Sequence, residues 1–185
     1  MSTLLTKSES STITGRLSAY SDLVNSIPVE HLVKLTEAIR IINDRMNTLY
    51  VVGNGGSCAN AAHLVLHLRE IGIRAVDLTA DSACLTAIAN DHSYAEVFRQ
   101  QLQSQAIDGD GLLVISGSGR SHNVVGALEW ARLHSLRSLG LLGFGGGDAA
   151  QLCDLAVILY STDYGPVEVA HDACIHLIKE LLSAA

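Results

Sequence analysis

Behind Pro28, apolar residues fall at Leu32, Leu35, Ile39 and Ile42, the three- and four-residue spacing that keeps one side of a helix buried. A proline suits the first turn of such a helix, where its missing N–H leaves no bond unmade. The spacing predicts a helix here and another before it. Residues 1–13 are rich in Ser and Thr and are expected to form a flexible N-terminus. No strand signal precedes these helices, so they form a leading hairpin over about residues 14–46.

From Thr48 onward the pattern changes. Short apolar runs at 49–52, 73–78, 112–115, 139–142 and 155–159 read as strands buried on both faces. Helical segments lie between them at about 57–71, 82–90, 94–106, 122–134 and 147–152, and a last helix covers about 167–182. Strands alternating with helices predict a doubly wound α/β fold. The expected architecture is a three-layer α/β/α sandwich with a five-stranded parallel sheet, in one domain over residues 14–185 that includes the leading helices. Ligands in such sheets bind beyond the carboxyl ends of the strands, and the Gly- and Ser-rich segments of this chain fall there.

The first of these segments is Gly53-Asn54-Gly55-Gly56-Ser57, between a strand and a helix. Its glycines let the backbone turn sharply and approach a ligand, and Ser57 is placed to cap the helix, whose free N–H groups attract an anion. The segment lacks the lysine of a P-loop and the spacing of a dinucleotide fingerprint, which disfavours nucleotides. The second is Ser116-Gly117-Ser118-Gly119-Arg120-Ser121-His122-Asn123. Hydroxyls on a loop at a helix N-terminus cradle a phosphate monoester, and Arg120 can add charge. His63 and His67 are four residues apart on one helix, so both imidazoles share a face, as in helical zinc sites. Glu168, His171, Asp172 and His176 lie on the last helix, and spacing alone leaves open which of them turns toward His63 and His67. Asn90 and Asp91, at a helix end, either bind sugar hydroxyls or simply close the helix. Cys58 lies in a first helical turn, where thiolate is favoured, but no base is near it in sequence. Gly145-Gly146-Gly147 reads as a loop passing close to its neighbours.

Composition narrows the partners. The chain has 185 residues, 48% hydrophobic and 17% charged, enough for one full core. Its mean hydropathy of +0.29 fits surface buried between subunits. The formal net charge of −7 argues against nucleic acid or a membrane surface as partner. No apolar run reaches the length of a membrane span, and the first residues lack the apolar centre of a signal peptide. The 4 cysteines are widely spaced with no Cys-x-x-Cys, which fits a reducing cytoplasm.

Taken together, the glycine segment with His63 downstream, Ala89-Asn90-Asp91, the serine loop, Gly146-Gly147 and the run from Glu168 to His176 resemble the SIS (sugar isomerase) domain family, in its sedoheptulose 7-phosphate (phosphoheptose) isomerase branch. The resemblance spans nearly the whole chain. It implies substrate contacts from Asn54, Gly55, Gly56, Asn90, Asp91, Ser116, Gly117, Ser118 and Ser121, to which Ser57, Arg120 and Glu168 are added as expected substrate-binding residues. It implies one zinc ion per subunit, held by His63, His67, Glu168 and His176, and a homotetramer with sites at subunit interfaces. His67 stands where the heptose enzymes usually carry a Glu that is both ligand and proposed base, Glu168 where many carry Gln, and Arg120 where Asn is usual.

The activity so implied is metal-dependent aldose–ketose isomerisation of a phosphosugar, sedoheptulose 7-phosphate to a heptose 7-phosphate, by proton transfer between C1 and C2. Glu168 is the expected base and His176 its acid partner, with His67 the other catalytic candidate. The alternatives are a non-catalytic scaffold, as the DnaA initiator-associating protein of the same family is, and an isomerase or sensor for a different phosphosugar.

Overall fold

The computed structural model describes residues 7–184, and the part of the expected flexible N-terminus before Lys7 lies outside the described residues. The Ser/Thr-rich run from Lys7 onward is already helical, in α1 (Lys7–Asn25). Pro28 is the N-cap of α2 (Val29–Asp44) and so sits one step outside its first turn. The α2 stripe is as the spacing implies: Leu32, Leu35, Ile39 and Ile42 are buried.

Five strands follow: β1 (Leu49–Gly53), β2 (Ala75–Asp77), β3 (Gly111–Ser116), β4 (Arg137–Leu142) and β5 (Leu155–Ile158). All pair in parallel in the order β2-β1-β3-β4-β5. The helices between and after them are α3 (Gly56–Glu70), α4 (Ser82–Asp91), α5 (Val97–Gln105), α6 (His122–Leu133) and α7 (Tyr164–Ser183). The segment expected as one helix over 94–106 begins with a short 3-10 turn, Tyr94–Glu96, before α5. The helix expected at 147–152 is only a 3-10 turn, Ala149–Gln151. Three glycines with positive φ (Gly145, Gly146 and Gly147) precede it and keep the chain from a regular helix.

Strand side chains alternate between two cores. Leu49, Val51, Leu113, Ile115, Leu139, Leu141 and Val157 face α2, α3 and α7. Tyr50, Val52, Leu112, Val114 and Leu142 face α5 and α6. This is the expected three-layer sandwich, and α1 packs along α7 at its edge. Burial of both sheet faces explains the near-continuous apolar strands. The strand order reverses between β1 and β3, so their carboxyl ends open a crevice, the usual ligand position in such sheets.

Candidate active site

β1 delivers the glycine segment into that crevice. A Cβ on Gly53 would lie 2.3 Å from the Ser57 carbonyl oxygen, so only glycine permits this close return of the chain. Gly55, with φ 56°, is the N-cap of α3, and Ser57 is buried inside the first turn instead of capping it. Asn54 leans across the crevice. Its Nδ2 donates to Asn123 Oδ1 and its Oδ1 accepts from Asn123 Nδ2, each at 2.9 Å. Tyr94 donates its hydroxyl to the same Asn54 Oδ1 at 2.9 Å. Neither Tyr94 nor Asn123 carries a sequence signal for this role.

The serine loop leaves β3 on the other side. Ser116 Oγ accepts from the Gly119 N–H at 3.0 Å, and Ser118 Oγ from the Arg120 N–H at 3.3 Å. The Gly145–147 loop backs it as closely as the sequence implied. A Cβ on Gly119 (φ +64°) would fall 2.0 Å from the Gly146 carbonyl oxygen, and one on Gly147 2.5 Å from that of Ser118. Gly117 is covered by the Tyr164 ring, which packs against Phe144 at 4.7 Å between centroids. Ser121 is the N-cap residue of α6 but makes no side-chain capping bond, which leaves its hydroxyl available. Arg120 is exposed and has no side-chain partner among the described residues. Asn90 and Asp91 are exposed at the end of α4, with Asn90 Nδ2 donating to Asp91 Oδ1 at 2.8 Å. Tyr94, three residues beyond Asp91, ties this end of α4 to Asn54.

The imidazoles converge between α3 and α7. His63, His67 and His176 each offer a ring nitrogen, and the three atoms lie within 4.8 Å of one another. Ring centroids are 4.4 Å apart for His63 and His67, 5.0 Å for His63 and His176, and 5.1 Å for His67 and His176. His67 Nε2 is buried with no hydrogen-bond partner. A buried orphan donor or acceptor is costly unless something fills it, and a divalent cation fits three imidazoles at this spacing. Glu168, expected from the resemblance as the fourth member of this set, is not in the group. Its carboxylate rests against Gly56, where a Cβ would lie 2.2 Å from Oε1. Of the α7 carboxylates, the one that reaches the imidazoles is Asp172, with Oδ1 2.7 Å from His63 Nδ1. Glu168, Asp172 and His176 are spaced four apart, so the shared face was readable, but the axial position of α7 along α3, which assigns each carboxylate, was not.

Two further groups named from sequence lie apart from this chemistry. His171 is fully buried on α7. Burial pushes its imidazole pKa down to about 4, and the nearby Leu142 carbonyl opposes this only slightly, being outside hydrogen-bonding geometry for either ring nitrogen. Cys58 Sγ lies 3.0 Å from Thr79 Oγ1, which in turn donates to Asp77 at 2.6 Å, a structural arrangement with no base at the thiol.

A family model described as SIS domain matches residues 17–143. The phosphoheptose isomerase of Pelobacter propionicus is 40% identical over 158 residues, 82% of either chain. That of Geobacter sulfurreducens is 34% identical over 179 residues, 92% of this chain and 95% of its own. Among solved structures, phosphoheptose isomerase GmhA from Neisseria gonorrhoeae superposes with a TM-score of 0.88 at 27% identity, covering 95% of this chain and 97% of that one. With its parallel sheet, its hydroxyl-lined crevice and this breadth of likeness, the chain belongs to the SIS domain family, in its phosphoheptose isomerase branch.

Proposed function

We propose that this protein is a metal-dependent aldose–ketose isomerase that interconverts sedoheptulose 7-phosphate and a heptose 7-phosphate. The observation that carries this reading is the meeting of three imidazoles from α3 and α7, with the Glu168 carboxylate of α7 resting separately against Gly56 of the crevice. A divalent cation, zinc by the donor set, would be held by His63, His67 and His176 and would supply electrophilic pull on the sugar carbonyl.

The remaining work falls to the chain itself. Ser116, Gly117, Ser118 and Ser121 bind the phosphate through hydroxyls and N–H groups at the start of α6, with Arg120 adding charge from the rim. Asn54, Gly55, Gly56 and Ser57 line the sugar's path, and Asn90 and Asp91 take its hydroxyls. Anchoring the phosphate fixes the reacting carbons and lowers the entropic part of the barrier. Glu168 takes the proton from one carbon and returns it to the next, with His176 as acid partner and His67 flanking them. The likeness to phosphoheptose isomerases supports the sugar class.

Assembly as a homotetramer would cover exposed apolar residues on three helices, among them Leu17, Leu66, Val169 and Leu177. The four cysteines are free, in keeping with a cytoplasmic enzyme.

The test is an assay over five- to seven-carbon phosphosugars, following exchange of the C1/C2 hydrogen with solvent. Turnover of sedoheptulose 7-phosphate, abolished in Glu168→Gln, is expected. Full exchange in that variant would remove Glu168 from the role, and no turnover of any phosphosugar would overturn the reading.

A further inference from the structure

Two carboxylates stand outside the imidazole group, and each takes the Nδ1 edge of one ring. Asp172 Oδ1 lies 2.7 Å from His63 Nδ1. Glu70 Oε2 lies 3.2 Å from His67 Nδ1 and is itself held by the Lys179 ammonium. The second oxygen of Asp172 is 3.9 Å from His176 Nε2, too far for a hydrogen bond but near enough to place its charge beside the third ring. A carboxylate that accepts from Nδ1–H fixes the neutral tautomer, aims the ring and leaves the Nε2 lone pair free for a cation. On His67 the consequence is visible: Nδ1 is engaged while Nε2 is buried and unpartnered.

We propose that Asp172 and Glu70 are positioning residues for a divalent cation at His63, His67 and His176, acting through the rings they touch. The carboxylates of α7 then divide the work. Asp172 fixes a ligand, and Glu168, outside the imidazole group and against Gly56, stays free for proton transfer. Three neutral protein ligands would leave a coordination position for water or a sugar oxygen, the arrangement of catalytic rather than structural zinc. The inference rests on the metal-dependent reading above.

An ordinary surface ion pair is the competing account, and stability separates the two. The Asp172 side chain is 43% exposed and that of Glu70 46%, so pairs made there contribute little to folding. Positioning acts instead on cation affinity.

The experiment measures Zn2+ affinity by chelator competition, and the visible absorption of the Co2+-substituted protein, for wild type, Asp172→Asn, Glu70→Gln and Glu168→Gln. Affinity should fall about 10- to 100-fold in Asp172→Asn and Glu70→Gln, as outer carboxylates elsewhere do. The melting temperature of the metal-free proteins should stay in place, and Glu168→Gln should keep its affinity within about twofold. Unchanged affinity in both positioning variants, or a larger loss in Glu168→Gln, overturns the proposal while leaving the metal centre standing. Failure of wild type to take up Zn2+ or Co2+ overturns both. The two positions lie on different helices, so either variant carries the comparison if the other does not fold.

Discussion

Asn54 and Asn123 exchange hydrogen bonds in both directions at 2.9 Å, closing a ring of two amides across the crevice between β1 and β3. Asn123 is 2% exposed, and its Oδ1 also accepts from the Val124 N–H at 3.0 Å, so the pair is anchored to the start of α6. The glycine segment and the serine loop are thus held at a set separation before any substrate arrives. Replacing Asn123 by Ala leaves the half-buried Asn54 Nδ2 without its acceptor, with only Tyr94 still bonded to the amide. We expect a loss of about 1–3 kcal/mol in urea unfolding and a higher KM, since both loops lose their common brace. Unchanged stability and KM would show that the amide pair holds nothing together.

Tyr94 tests the same brace from outside. Tyr94 is 58% exposed, so its hydroxyl adds little to folding, yet it donates to Asn54 Oδ1. Tyr94→Phe should reduce kcat/KM about 2- to 10-fold, the worth of one hydrogen bond of about 0.5–1.5 kcal/mol. Its melting temperature should match wild type. An equal loss of stability and activity would mark Tyr94 as structural only.

Much of the fold was legible because strand runs and helix stripes are local patterns. The order of α and β elements, both loops at the crevice and the His63–His67 face follow from spacing within one element. What was not legible depends on how elements pack. The axial position of α7 along α3 puts Asp172, not Glu168, beside His63, and that position is set by packing between the two helices rather than by spacing within either. Tyr94 and Asn123 meet Asn54 across 40 and 69 residues of sequence, a pairing set by strand order. Ser57 carried a capping signal, yet Gly55, with its positive φ, takes the N-cap position two residues earlier.

Gly56 offers a probe of Glu168 that keeps the carboxyl group but shifts its position. A Cβ there would lie 2.2 Å from Glu168 Oε1, a contact relieved by swinging a flexible side chain rather than by moving backbone. Gly56 opens α3, and alanine is the better helix former by about 1 kcal/mol in helix interiors. Gly56→Ala should therefore fold at least as well as wild type. It should lose turnover, by about tenfold or more for a base displaced by an ångström. Zn2+ affinity should not change, because the imidazoles are untouched. Wild-type kcat would mean that the resting place of Glu168 is irrelevant to the chemistry.

His171 makes the fold acid-sensitive from within. Its folded-state pKa is lowered from 6.5 to about 4, so the unfolded chain binds its proton first as pH falls. The stability it preserves is complete above about pH 6.5 and drains away as pH drops toward 4, by up to about 3 kcal/mol at 1.36 kcal/mol per pH unit. Other histidines and the carboxylates also titrate in this range, so the informative quantity is the difference between two proteins. His171→Leu keeps a buried apolar side chain at the site and removes the proton acceptor. Urea unfolding of both proteins from pH 7.5 to 4.5 should show the variant losing less stability on acidification, and because both ring nitrogens of His171 are buried without a partner, the variant should be no less stable at pH 7.5. Parallel stability curves for the two proteins would mean that His171 finds a proton-binding partner in the folded state.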